Sequence, residues 1–347
     1  MIAETYRRRA SVLGSYRNTI SVWINAFTYH SYTAYLFIRS DLRTHVALNL
    51  LFVVLHAGIA PELSLGPRQS IHQLLTSSPG ILLWSWSNLL LFNIHNQRHT
   101  AAIDEDAINK PWRPLPSKRL TPQQATWAMY AMYPVTLSIT LTFGGAFPCL
   151  FHAALSVWYN EFGGDSTPWT KNLLNGFGIA SFFAGPLEVA SGHSIFAGTG
   201  KAAWWLLIIA SAIATTVHCQ DFRDVEGDRA AGRDTVPLVM GDVSARAMVV
   251  VGTIFWTHIS CLFWESSYTA RLSGWGTATI MLLNLLVRRH KDGDVSLWKL
   301  YAFWLLGLFL IPFCRILKEW FRYGDKVVES LNSGLYSKRY YKRIASY

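Results

Sequence analysis

The chain has 347 residues, 51% hydrophobic and 14% aromatic but only 15% charged, against roughly a quarter charged in an ordinary soluble domain. That composition excludes disordered, collagen-like and disulfide-scaffold proteins and places the chain in a membrane, where its fifteen Trp suit interfaces and apolar cavities. The net charge of +10 does not make it a nucleic-acid binder: the basic residues lie beside apolar runs, with no aromatic-basic interleaving on a soluble module, so anionic headgroups or an anionic substrate fit better.

In chain order, Arg7, Arg8 and Arg9 come first. No apolar core with a small-residue cleavage site follows promptly, so a cleaved signal peptide is not expected and the first span does the targeting. Residues 17–38, with Trp23, Phe27, Tyr32 and Tyr35, form an amphipathic surface helix that closes a basic N-terminal segment, 1–38. Nine apolar stretches then approach the roughly twenty residues needed to cross a bilayer: 39–60, 79–98, 121–143, 145–160, 171–193, 202–220, 245–264, 270–288 and 296–316. The expected fold is an all-α integral membrane bundle of about nine transmembrane helices, catalytic over 39–316, followed by a basic tail, 317–347. Cys149, Cys219, Cys261 and Cys314 are scattered and serve as apolar filler.

The acidic residues cluster. Of 21 Asp and Glu, three stand at 104–106 and six between 221 and 242, each segment directly after a span. Four spans separate the two, so both loops fall on one side and can meet across one mouth. Arg7–Arg9, the loops 98–119 and 223–246, and Arg288, Arg289 and Lys291 fall on that same side, which the positive-inside rule makes cytosolic. The tail, with eight basic residues from Arg315 to Arg343, falls on the other. Either the rule is violated there, or Pro312 makes the last segment a hairpin, or the tail is a surface helix.

The second acidic segment reads DFRDVEGDRAAGRDTVPLVMG from Asp221 to Gly241. Asp221, Asp224 and Asp228 stand at i, i+3 and i+7, one face of a helix continuing the sixth span. Hard oxygen ligands so clustered suit Mg²⁺, held by carboxylates together with substrate phosphate oxygens. The first segment, NQRHTAAIDEDAINKPWRPLPSKRL from Asn96 to Leu120, combines Asp104, Glu105 and Asp106 with Lys110, Arg113, Lys118 and Arg119. Asp104 and Asp106 are two apart and oppose each other on a helix, so either the backbone unwinds or only one binds metal. Two facing carboxylate clusters above an apolar bundle describe a device for ionising an allylic diphosphate.

Both segments resemble the signatures of the UbiA superfamily of intramembrane prenyltransferases. The second matches DxxDxxGDxxxGRxTxP residue for residue, and NKPWRPLP from Asn109 to Pro116 matches the stretch after the family's first acidic motif. The resemblance implies a helical bundle with a cytosolic cap that binds polyprenyl diphosphate with Mg²⁺. It places Asp224 and Asp228 on the metal-binding DxxxD and Asp221 on an accompanying acid. The first motif departs from NxxxDxxxD: counting back from Asp106, Ala102 stands for the earlier aspartate and Arg98 for the asparagine, with Asn96 two residues further on. That arrangement resembles the fungal UbiA-type terpene cyclases, which implies closure of the allylic cation on its own double bonds without an acceptor.

The expected function is Mg²⁺-dependent cyclisation of farnesyl diphosphate, with geranylgeranyl diphosphate as the longer option, to a terpene hydrocarbon of secondary metabolism. The alternative is transfer of the prenyl chain to an aromatic or other acceptor. The expected metal ligands are Asn96, Asp104, Glu105, Asp106, Asp221, Asp224 and Asp228, with Lys110, Arg113, Arg119, Lys171, Arg229 and Arg233 gripping the diphosphate. Glu188, deep in the fifth span at FFAGPLEVASG, is a candidate cation stabiliser or proton acceptor because an ionisable group there is costly. Asp294 and Ser296 cap the ninth span. The resemblance also places the enzyme in the endoplasmic reticulum, its mouth toward the cytosol.

Overall fold

The computed structural model describes the backbone of residues 2–332 except 231, and the side chains of 20–42, 45–229 and 232–313. Among the described residues every regular element is helical. The first helix, α1 (Ile2–Ile38), continues through a turn and a five-residue π-helical stretch, Leu42–Val46, into α2 (Ala47–Ala57). Trp23, Phe27, Tyr32 and Tyr35 are exposed along α1, whereas Phe37 and Ile38 enter the core. The expected first span is thus interrupted. The 11 residues of α2 reach only about 16 Å at 1.5 Å per residue, about half the apolar thickness of a bilayer.

The remaining expected spans fall on α3 (Ile71–Gln97), α5 (Pro122–Phe143), α6 (Ala146–Glu161), α7 (Pro168–Ser191), α8 (Lys201–Thr216), α11 (Asp242–Phe263), α12 (Tyr268–Val287) and α13 (Lys291–Asn332), with the short α4 (Thr100–Asn109), α9 (Val225–Ala230) and α10 (Val236–Met240) between them. Four of the helices are long and apolar enough by themselves to cross a membrane: Pro168–Ser191, Lys201–Arg223, Asp242–Phe263 and Lys291–Phe313. Pro312 lies inside α13, which runs on without a break, so the hairpin reading of the last segment is overturned. Residues 333–347 of the tail, and the Cys314 side chain, lie outside the described residues.

Helix α7 is the central stave, with 72% of its apolar window buried. Where lipid offers no hydrophobic drive between helices, small residues let backbones approach. Gly176 does this for α7 and α8, since a Cβ there would strike Ala210 and Ala214. Some polar groups inside the bundle pair across helices. Trp205 Nε1 donates to His56 Nε2 at 2.8 Å while His56 Nδ1 donates to the Phe52 carbonyl at 2.7 Å, and Asn49 donates to Ser85 Oγ at 3.1 Å. Cys149, Cys219 and Cys261 are buried free thiols, as expected of filler.

One packing contact reaches toward the interior cavity. The Trp84 indole lies flat against Gly185 of α7, donates to the Gly145 carbonyl at 3.2 Å and touches the Phe182 ring edgewise. No β-carbon fits between the ring and the helix. Gly185→Val should therefore destabilise the protein by about 1–3 kcal/mol through overpacking, read as a lower thermal midpoint in detergent. An unchanged midpoint would show that Trp84 can swing aside at no cost.

Candidate active site

A cavity of about 950 Å³ opens at the end of the bundle where both acidic segments emerge. Its body is lined by Leu89 and Phe92 of α3, His152, Leu155 and Tyr159 of α6, Leu174, Ile179 and Phe182 of α7, and Trp298 of α13. Its mouth is lined by nine carboxylates against six Lys and Arg. That imbalance leaves the mouth negative, so an anionic ligand could settle there only together with cations.

The second segment does not continue α8 as an α-helix. It tightens into a 3₁₀ helix, Val217–Arg223, and Asp224 ends that turn before α9 begins. Three residues per turn eclipse i and i+3, so Asp221 and Asp224 still share a side, and α9 returns Asp228 to the same cavity. Asp221 is buried beside Lys171 Nζ at 3.2 Å. Asp224 is exposed, paired with Arg223 at 3.0 Å. Burial pushes the Asp228 carboxyl up to about 6; Lys171 and Arg233 oppose the rise, and the Asp221 and Asp224 charges add to it.

In the first segment the backbone stays helical through α4, which resolves the geometric conflict. Asp106 and Glu105 line the cavity, and Asp104 is exposed on the far side, so it drops out of the expected ligand set. Asp106 is buried and takes both its oxygens to Arg113 Nη1 at 2.9 and 2.7 Å. Glu105 pairs with Arg233, joining the two acidic segments directly, and Arg233 also stands 3.8 Å from Asp228. Burial and the neighbouring Arg113 charge push the Lys110 ammonium below its ordinary range, against the pull of Asp106, Asp41 and Glu105. Asn96 lines the cavity and donates to Asn160 at 3.2 Å.

Three further sequence assignments are corrected. Arg119 is drawn away to α1, where it donates to Thr33 Oγ1 at 3.0 Å and lies over the Tyr29 ring at 4.1 Å. Arg229 is exposed and does not line the cavity. Glu188 is buried outside the cavity lining, where it accepts from the Ile195 backbone N–H at 2.8 Å and ties the end of α7 to the next loop. Its carboxylate satisfies a buried backbone donor instead of facing a substrate.

Two groupings escaped the sequence. Arg98, at the position of the pattern's asparagine, binds Glu161 of α6, and the His95, His99 and Glu161 ligand atoms lie within 4.8 Å of one another. The guanidinium already supplies that carboxylate with positive charge. Behind the second segment, Arg246 lies buried over the Phe222 ring, 4.3 Å from its centroid, and forks onto Asp294 at 2.9 and 3.0 Å. Asp294 is therefore an ion-pair partner as well as a residue of the first turn of α13.

Residues 50–307 match the UbiA prenyltransferase family. The chain belongs to that family. It is 31% identical over 281 residues, 81% of its length, to the fumagillin beta-trans-bergamotene synthase of Aspergillus fumigatus, covering 91% of that protein. It is 29% identical over 284 residues to the somaliensene A/B synthase of Streptomyces somaliensis, 79% of this chain and 89% of the other. Among solved structures, a digeranylgeranylglyceryl phosphate synthase superposes with a TM-score of 0.56 at 16% identity, covering 81% of this chain and 96% of that one. A UbiA homologue from Archaeoglobus fulgidus bound to GPP and Mg²⁺ superposes with a TM-score of 0.52 at 13% identity over 78% and 98% of the two chains. The UbiA chain described here is an integral membrane protein, and its diverged first motif and intact second motif converge on one cavity.

The Arg246–Asp294 pair yields a stability test. Removing one partner of a buried ion pair costs about 3–5 kcal/mol when the other charge is left uncompensated, whereas replacing both by apolar residues is often tolerated. Arg246 also donates to Asp242 at 2.8 Å, so Asp294→Ala should lower the unfolding midpoint in detergent by less than that full amount, and Asp294→Leu combined with Arg246→Met should recover most of the loss. Equal losses in the single and double variants would mean that the pair does not couple the two helices.

Proposed function

We propose that this UbiA protein is a membrane-bound terpene cyclase that ionises farnesyl diphosphate and closes it to a sesquiterpene hydrocarbon. The observation that carries the reading is one cavity with a carboxylate-rich mouth and an apolar, aromatic body, a division that matches a substrate with a charged head and a hydrocarbon tail. The likeness to bergamotene and somaliensene synthases over most of the chain favours cyclisation. The 29% identity over 218 residues to the digeranylgeranylglyceryl phosphate synthase of Methanosarcina mazei keeps transfer to an acceptor as the second reading.

The donor set at the mouth fits divalent metal. Asp221, Asp224 and Asp228, with Glu105 and Asp106 opposite, present hard oxygens at a site with more negative than positive side chains. Bound Mg²⁺ would neutralise the leaving diphosphate oxygens. The chain's own residues do the rest. Lys171 and Arg233, now paired with carboxylates of the mouth, and Lys110, which lines the same mouth, turn toward diphosphate oxygens. Arg113 keeps Asp106 in place. The buried body excludes water from the cation, and the rings of Phe92, Tyr159, Phe182 and Trp298 offer it π-faces, each worth roughly 1–2 kcal/mol when desolvated. In this reading the catalytic unit is residues 39–316, in the endoplasmic reticulum, with the mouth toward the cytosol, an orientation that the bias of Lys and Arg toward the loops on that side supports.

Membranes carrying the protein, given farnesyl or geranylgeranyl diphosphate without an acceptor, should release a cyclic hydrocarbon only when Mg²⁺ is present, detected by gas chromatography and mass spectrometry. Both diphosphates returning unchanged from folded protein would move the transferase reading to the front. Outer partners of metal ligands typically contribute about 10–100-fold. Loss of a ligand in Asp224→Ala should therefore reduce turnover by at least about a hundredfold while the unfolding midpoint stays within a few degrees. Retained turnover in that variant would sink the metal assignment.

A further inference from the structure

The deepest α6 residue in the cavity wall is a histidine whose tautomer is fixed by its neighbours. His152 is buried between the Phe92 and Phe182 rings, each centroid 5.9 Å from its own. Its Nδ1 lies 3.1 Å from Ser181 Oγ and 3.3 Å from the Gly178 carbonyl. The Ser181 hydroxyl spends its own proton on that same carbonyl at 2.7 Å, so toward the imidazole it can only accept. Both Nδ1 contacts therefore require Nδ1 to carry the hydrogen. Nε2 is then a bare lone pair, buried and without a hydrogen-bond partner, on a residue that lines the cavity. An orphaned acceptor in such a place calls for an explanation, and its depth suggests one. His152 lies eight residues from Asn160, the cavity-lining residue nearest the mouth on α6, about 12 Å at the rise of a helix. It stands beside the hydrocarbon body instead of the diphosphate.

We propose that His152 Nε2 is the base that ends the reaction. This rests on the cyclase reading above. In the closing step a C–H bond next to the cationic carbon breaks, its electron pair becomes the new carbon–carbon double bond and quenches the cation, and the proton goes to the Nε2 lone pair. The resulting imidazolium passes that proton to water entering through the mouth as product and diphosphate leave. The Nδ1 hydrogen bonds hold the ring as a neutral imidazole before turnover, and water entering with product release takes the proton afterwards. The Phe92 and Phe182 faces beside it hold the cation close to the acceptor.

The test compares wild type with His152→Gln, whose amide can still donate to Ser181 and Gly178 but offers no basic nitrogen. Released diphosphate and extracted products are measured together from farnesyl diphosphate and Mg²⁺. The expected result is that the wild-type olefin per diphosphate released falls at least tenfold, replaced by alcohols from water capture and by olefins deprotonated at other carbons. His152→Asn and Ser181→Ala extend the readout, the latter shifting products in the same direction but less, so the test stands even if the Gln variant does not turn over. An unchanged olefin share in the variants that turn over overturns the proposal. Wild type that releases diphosphate only when an aromatic acceptor is supplied, and forms no hydrocarbon, overturns the cyclase reading instead.

Discussion

Carboxylates crowded at the open end of an apolar bundle repel one another through a medium that screens poorly, and most of the polar structure in this protein answers that repulsion. Arg113 holds Asp106, Lys171 holds Asp221, and Arg233 bridges Glu105 and Asp228 across the two acidic segments. The bases fall short of the acids, and the Asp228 carboxyl is left pushed up toward neutrality by burial. A site in that condition favours additional cations. The same cations that relieve the carboxylates give a diphosphate somewhere to bind, so the charge imbalance of the resting protein is itself a binding device.

The helical frame makes this imbalance affordable by fixing the segments from behind. Arg246, forked onto Asp294 and lying over Phe222, ties the 3₁₀ turn to α11 and α13. On the opposite side Arg119 clasps α1 through Thr33 and Tyr29, which anchors the proline-rich loop after Asp106. Below the mouth, His56 and Asn49 tie α2 to neighbouring helices through Trp205 and Ser85, whereas the Nε2 of His152, on a residue of the cavity wall, is one of the buried polar atoms left without a partner.

Much of the chemistry was legible one residue at a time. The parity of spans between the acidic segments brought them to one mouth, and the Glu105–Arg233 pair now joins them. The spacing of Asp221, Asp224 and Asp228 predicted a shared side, although the backbone achieves it with a 3₁₀ turn in place of an α-helix. Glu188, Arg119 and Arg229 misled because a charge in an apolar or family-like stretch does not reveal its partner. Glu188 serves a loop amide, Arg119 turns to α1, and Arg229 faces out.

The sequence by itself determined the membrane class, the long helices from the second expected span onward and the two carboxylate segments, because hydropathy and charge spacing act locally along the chain. Tertiary structure decided the rest: that the first span breaks at a π-helical stretch, that Asp104 points away while Asp106 turns inward, that Arg98 seizes Glu161, and that His152, a residue of the cavity wall, keeps a buried nitrogen without a partner. Each depends on which groups from distant parts of the chain compete for the same hydrogen bond or charge. Such a contest is settled only once the helices have packed.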